Sequence, residues 1–280
     1  MTPTHNEPLF NQIRFIMVEP SHPGNVGAAA RAIKTMGFNQ VCLVNPKLPT
    51  IITHDQAIAM ASGATDVLEN TRIFNTLEQA LAPVSLAFAL TARPRYIGPP
   101  PKTIRQSALL SAQHVLEHQT AEIAIVLGTE RTGLENSAIN QCQYVSYIPA
   151  NPDYSSLNVA QALQLAAWEL RHALLEAQET HLELRTPGKQ LETDLPATQA
   201  HIHEFLVHWE QALIDIDFLD PKHPKKLRLR MQQLFTRSQL TQSEVAMLRG
   251  VCTAMIKTAR KIASTTTSQA SSTVISPTDR

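Results

Sequence analysis

The stretch IRFIMVEPSHPGNVGAAARAIKTMGFNQVCLVNP, residues 13–46, decides the fold. IRFIMV (13–18) and VCLV (41–44) are continuous apolar runs rich in β-branched side chains, which predicts two strands. Between them an Ala-rich segment predicts a helix over 25–36, and Gly37 stands where that helix should stop. Pro46 and Pro49 break the chain after the second strand. A strand, a helix and a second strand in so short a span predict a βαβ unit with parallel strands. The same alternation continues: TRIF (71–74), VSLAFAL (84–90), IAIVL (123–127) and YVSYI (144–148) read as strands, and 55–61, 76–82, 103–117 and 157–178 as helices. Unbroken apolar strands are covered on both faces, so the expectation is an open, parallel α/β sheet over residues 1–180.

Beyond residue 180 strand signals stop. A linker over 181–197, holding Pro187, Gly188 and Pro196, leads to helical stretches at about 198–216, 223–236 and 241–262, a small extension. The Ser/Thr-rich residues 263–280 offer almost nothing to bury and are expected to be disordered.

With 280 residues, 43% of them apolar and 17% charged, the chain can bury a large core without disulfide or metal. Cys42, Cys142 and Cys252 are scattered, without a CxxC pair, which suits a reduced cytosol and argues against zinc. No apolar run approaches the ~18 residues that span a bilayer, and the first ten residues show no export signal, so a cytoplasmic location without membrane is expected. His203, Glu204 and His208 give HExxxH, whose spacing swings the second imidazole off the face a zinc site needs. Neither GxSxG nor GxxxxGK[ST] occurs, and GNVG is not the dinucleotide fingerprint GxGxxG.

The formal net charge of zero hides a division. Residues 153–221 stand at −9 and residues 222–261 at +9, with Glu244 the only acid in the second block. Such a basic block attracts a phosphate backbone; a solvated helix pair leaning on its acidic neighbour explains the same charges equally well.

Three stretches place polar residues at the ends of parallel strands, where open α/β sheets bind ligands. EPSHPGNVGAAARAIKTMG (19–37) sets Asn25 at a helix start and Arg31 six residues on; LGTERTGLEN (127–136) is a glycine-bracketed loop with Glu130 and Arg131; IPANPDYSSLNVAQAL (148–163) puts Ser155, Ser156 and Asn158 before the longest helix. Taken singly, each is a packed helix, a turn or an N-cap.

Taken together, HPGNVGAAARAIKTMGF, LVNP, GTERTGL, ANPDYSSLN and LFTRSQLTQSEVAMLRG resemble the SpoU branch of the SPOUT methyltransferases over about residues 12–260, closest to members that methylate nucleotide 32 of the tRNA anticodon loop. The resemblance implies a sheet whose C-terminal part threads a trefoil knot, S-adenosylmethionine as cofactor, a homodimer and tRNA as partner. It places the cofactor against Leu90, Thr91, Ala92, Gly128, Ile148, Ser155, Ser156 and Leu157. It matches Arg31 to the motif arginine assigned as the activating residue; since a guanidinium has donors and no acceptor, the role expected here is to clamp a phosphate and steady the developing alkoxide, with Asn25, Glu130, Ser156 and Asn158 orienting the ribose and fixing the loops. Lys222, Lys225, Lys226, Arg228, Arg230 and Arg237 of the extension would grip the RNA. Alternatives of other kinds are a SpoU-type enzyme for ribosomal RNA or another tRNA position, a knotted RNA-binding protein without activity, and a nicotinamide dehydrogenase.

Overall fold

A computed structural model describes residues 8–92, 98–184, 194–224 and 226–272; Lys225 and the outermost residues of the expected tail lie outside the described residues. Strands β1 (Ile13–Val18), β2 (Gln40–Val44), β3 (Arg72–Phe74), β4 (Val84–Leu90), β5 (Pro101–Thr103), β6 (Glu122–Leu127) and β7 (Tyr144–Tyr147) form one sheet ordered β3-β2-β1-β6-β4-β7-β5. Every pairing is parallel, as the apolar runs require. β5 escaped the sequence reading because Pro-Lys-Thr is too short and polar to register as a strand.

The helices are α1 (Pro23–Thr35), α2 (Asp55–Ala61), α3 (Thr65–Glu69), α4 (Leu77–Leu81), α5 (Ile104–Glu117), α6 (Asn136–Ile139), α7 (Val159–Leu184), α8 (Gln199–Asp215), α9 (Leu227–Arg237) and α10 (Gln242–Ser272). Alternation along the strands sorts their side chains by size. Phe15, Met17, Phe88, Leu90, Ile125 and Leu127 point to the face under α1, α5 and α7. Ala87, Ala89, Ala124 and Val126 point to the other, where the short α4 and α6 give Leu77, Leu81, Ala138 and Ile139 as cover. Small residues belong there because the layer above is thin. Arg14 is buried on β1, paired with Glu122, and its Nη1 donates to the Ala80 carbonyl at 3.0 Å, which pins α4 to the sheet.

On α7, Leu163, Ala166, Ala167, Leu170, Ala173 and Leu174 are buried at helical spacing. Their small members let α1 approach. At the other side of α1, a Cβ on Gly27 would stand 2.0 Å from the Ala57 carbonyl oxygen, so α1 and α2 touch backbone to backbone. Arg171 ends α1: its Nη1 donates to the Met36 carbonyl at 3.0 Å and its guanidinium lies 5.4 Å from the Phe10 ring centroid.

Register does the positioning. Met17 lies level with Leu127, Leu127 with Leu90, and Leu90 with Ser146, so the loops leaving β1, β6, β4 and β7 emerge side by side from one edge.

The extension has its own small core of Ile202, Phe205, Ala212, Val245 and Cys252, with Phe205 and Phe235 edge to face at 4.7 Å. It docks on the sheet domain through Ala200 N–H to the Ala82 carbonyl at 3.1 Å and Gln233 Nε2 to Asn140 Oδ1 at 3.0 Å. One expectation fails: α10 runs to Ser272, into the stretch assigned to disorder. Thr241 and Glu244 cap it reciprocally, and no Gly or Pro interrupts residues 251–272; Ser and Thr lower helix propensity only modestly.

Where the extension meets the strand starts, a cleft of about 410 Å³ has Ser85, His114 and His118 on one side and Ala197, Phe235 and Leu240 on the other. His114 Nε2 lies 2.8 Å from Ser85 Oγ, and burial with His118 nearby lowers its pKa to about 4. A histidine depressed in the folded state binds its proton more readily when unfolded, so stability falls as pH drops below the unfolded value near 6.5. Between pH 7.5 and 5 the expected loss is about 2 kcal/mol. Denaturant titrations at the two pH values should show it in the wild type and show it reduced by that amount in His114→Gln.

Candidate functional site

The loops leaving β4, β6 and β7, with the start of α7, enclose a cavity of about 360 Å³, and the β1 loop stands beside it. Leu90, Thr91, Ala92, Gly128, Ile148, Ser155, Ser156 and Leu157 all line it, together with Glu130. Its walls also include Leu127, Thr129 and Arg131, from the loop the sequence reading singled out around Gly128, and Gly133, Val159 and Ala162, to which it gave no role. The repeated Thr-Gly flanking Glu130 was the available signal for part of that set.

TERTG folds into a tight hairpin. Thr129 and Gly133 exchange backbone hydrogen bonds at 3.3 and 3.0 Å, and Thr132 N–H donates to Thr129 Oγ1 at 3.1 Å. Gly133 takes φ +68°, a conformation that glycine adopts without strain. Gly128 answers a different need: a Cβ there would lie 2.1 Å from the Gly133 carbonyl carbon. The hairpin closes only over a hydrogen atom.

Its tip carries Glu130 to the N-terminus of α1. The carboxylate accepts from Ser21 Oγ at 2.8 Å, from the Ser21 N–H at 3.3 Å, from the His22 N–H at 3.2 Å and from Asn25 Nδ2 at 3.2 Å. Burial opposes its charge, but its own backbone N–H and the donors of Asn25, Ser21 and His22 outweigh that, holding the carboxyl below the ordinary glutamate value. The positive end of the α1 dipole acts in the same sense. Asn25 passes the connection on, its Oδ1 accepting from Asn158 Nδ2 at 2.9 Å. Asn158 in turn caps α7, with Oδ1 accepting from the Ala160 N–H at 2.9 Å.

Thus Glu130, Asn25 and Asn158, distant in sequence, form one hydrogen-bonded chain beside the cavity. Asn25 and Asn158 do not line the cavity wall. Their amides serve each other and the helix starts. Ser156 does line it. Arg31 is exposed on α1, six residues past Asn25 and about 120° round the helix, and is outside its own chain's cavity. Of the extension's cations, Arg228 pairs with Glu210, and Arg249 with Glu204 at 2.8 Å. Lys222, Lys226, Arg230 and Arg237 are exposed, with no ion pair among the described residues.

A parallel sheet with polar loops converging at its strand ends is a ligand-binding α/β architecture, and comparison with known proteins makes its class that of the SpoU methylases. The SpoU rRNA methylase family model matches residues 12–168, and the model of the TrmJ C-terminal domain matches residues 200–264. The tRNA (cytidine/uridine/adenosine-2′-O-)-methyltransferase TrmJ of Pseudomonas aeruginosa strain UCBPP-PA14 is 39% identical over 254 residues, 90% of this chain and 96% of that protein. Among solved structures, TrmJ from Z. mobilis ZM4 superposes with a TM-score of 0.71 at 28% identity, covering 86% of this chain and 98% of that one. A probable methyltransferase from Bordetella pertussis Tohama I is 60% identical, with a TM-score of 0.57, over 59% of this chain and 98% of its own. The chain belongs to the TrmJ family of SpoU methylases.

Gly128→Ala should cost about 2 kcal/mol by forcing the hairpin open, whereas Gly133→Ala, with nothing within 4 Å of its added Cβ, should cost about 1 kcal/mol of backbone strain. Chemical denaturation of the two variants checks the order.

Proposed function

We propose that this chain is an S-adenosylmethionine-dependent tRNA 2′-O-methyltransferase acting on nucleotide 32, cytidine or uridine, of the anticodon loop, and working in the cytoplasm as a homodimer. The observation that carries the reading is the chain Glu130–Asn25–Asn158 beside a cavity lined by the loops of three parallel strands, in a member of this family. Among the described residues no helix is long and apolar enough to cross a membrane. The knot belongs to the same reading: β7 lies between β4 and β5, which are neighbours in sequence, and that placement supports a chain end passed between them.

The cavity's walls fit the cofactor. Leu90, Ile148 and Leu157 offer apolar contact, Ser155 and Ser156 offer hydroxyls, and Gly128 adds no side chain to the wall. When bound, the cofactor supplies an electrophilic sulfonium methyl. The residues around the cavity would have to hold the ribose hydroxyl against that methyl, so positioning would carry most of the rate. Glu130 is saturated by donors and more acidic than usual, which makes it an anchor for the β1 and β6 loops and a poor proton acceptor. Ser156, at the wall, is placed to orient the ribose. Arg31, a planar fork of donors with no acceptor, serves to hold a phosphate and steady the alkoxide, the hydroxyl proton leaving to water.

Arg31 serves the cavity of a second copy. Supporting this, Leu165 and Trp168, 41% and 52% exposed, line a groove with Ile148, a residue that also walls the cavity. Mixing inactive Arg31→Ala with inactive Glu130→Ala protein should restore about a quarter of wild-type activity through hybrid dimers. No recovery would mean that each chain supplies its own arginine.

RNA is gripped by part of the basic block. Arg230 and Arg237, seven residues apart, share one stripe of α9 that Lys226 extends from its N-cap, with Arg228 opposite and committed to Glu210. Labelled methyl transfer to purified tRNA, mapped to the ribose, should mark nucleotide 32; transfer to ribosomal RNA instead overturns the substrate. In the same assay, neutralising the three stripe residues should lower the slope of log affinity against log salt by about 2–3, and Arg228→Gln should leave it nearly unchanged.

A further inference from the structure

At the mouth of the cavity one side chain is unaccounted for. Tyr154 is 81% exposed, more than any other exposed large apolar residue among those described. Single exposed apolar residues are ordinary, but the setting here is not. Tyr154 immediately precedes Ser155, Ser156 and Leu157, all three of which line the cavity. Its backbone is held on both sides: the Asp153 N–H donates to Asn151 Oδ1 at 3.1 Å, the Tyr154 N–H to the Asn151 carbonyl at 3.0 Å, and Asn158 caps α7 just beyond. Its ring takes part in no ring or cation contact among the described residues. The result is a broad aromatic face on a fixed loop, which loses little conformational entropy when something covers it.

Space decides what that something is. A cavity of about 360 Å³ is near the lower end for a small-molecule site and is taken up by one cofactor. A ribose can reach its opening, but no nucleobase fits inside as well. The base of the target nucleotide must rest on the lip. Single-stranded RNA is commonly caught there by stacking on aromatic rings, and stacking tolerates more than one base because every base has a π-face.

Resting on the functional reading above, we propose that Tyr154 is a positioning residue that stacks on the target base and so sets its ribose at the cavity mouth.

The test compares wild type, Tyr154→Ala and Tyr154→Phe in methyl transfer from S-adenosylmethionine to full tRNA. The second substrate is the same tRNA lacking only the target base, its ribose hydroxyl intact. Tyr154→Ala should raise the KM for intact tRNA about tenfold or more while binding cofactor normally by calorimetry, and Tyr154→Phe should stay near wild type. Removing the base should cost the wild type a similar factor and cost Tyr154→Ala nothing further. If Tyr154→Ala loses equally on both substrates, or falls apart into monomers on sizing, the residue is a contact of another kind and the stacking proposal is wrong. A wild type inert on every tRNA refutes the functional reading itself, and this proposal with it.

Discussion

One carboxylate ties the site together. Glu130, at the tip of a hairpin on β6, sits where the unsatisfied N–H groups of α1 begin, and its charge is held there by four donors from the β1 side. Through Asn25 and Asn158 the same chain reaches the start of α7. Three loops that would otherwise move independently are therefore coupled through polar side chains. The coupling is possible only because parallel register brings their strands to the same height, and because nothing larger than glycine stands at position 128.

Much of this was legible in the sequence, for identifiable reasons. Strands buried on both faces announce themselves as unbroken apolar runs, so β1, β4 and β6 could be placed almost to the residue. Glycine and asparagine at strand ends marked the loops, and the family resemblance then named the cavity wall. The fragments β5, α3 and α6 were not legible: β3 and α4 are as short, but β3 is more apolar than the Pro-Lys-Thr of β5, and α4 has the Thr76–Gln79 capping box that α3 and α6 lack. Partnering was illegible too. That Asn25 and Asn158 would bond to each other across the fold, and that Arg228 would be committed to Glu210, depends on packing that spacing alone does not report.

Charge along the chain gave two readings of the extension, and both describe part of it. Acidic α8 does neutralise basic neighbours, taking Arg228 and Arg249 into ion pairs. The remaining exposed cations of α9 fall on one side. Pairing thus sharpens a diffuse positive block into a directional surface, because field is cancelled on one face of α9 and left intact on the other.

The backbone contact between Gly27 and Ala57 has a consequence for inhibitor chemistry. Pressed against α2 on one side and α7 on the other, α1 is a stiff support outside the cavity wall, and the β6 hairpin that Glu130 fastens to its start inherits that stiffness. A competitive compound must match the cleft as it stands, so shape complementarity, more than adaptability of the enzyme, sets which scaffolds enter.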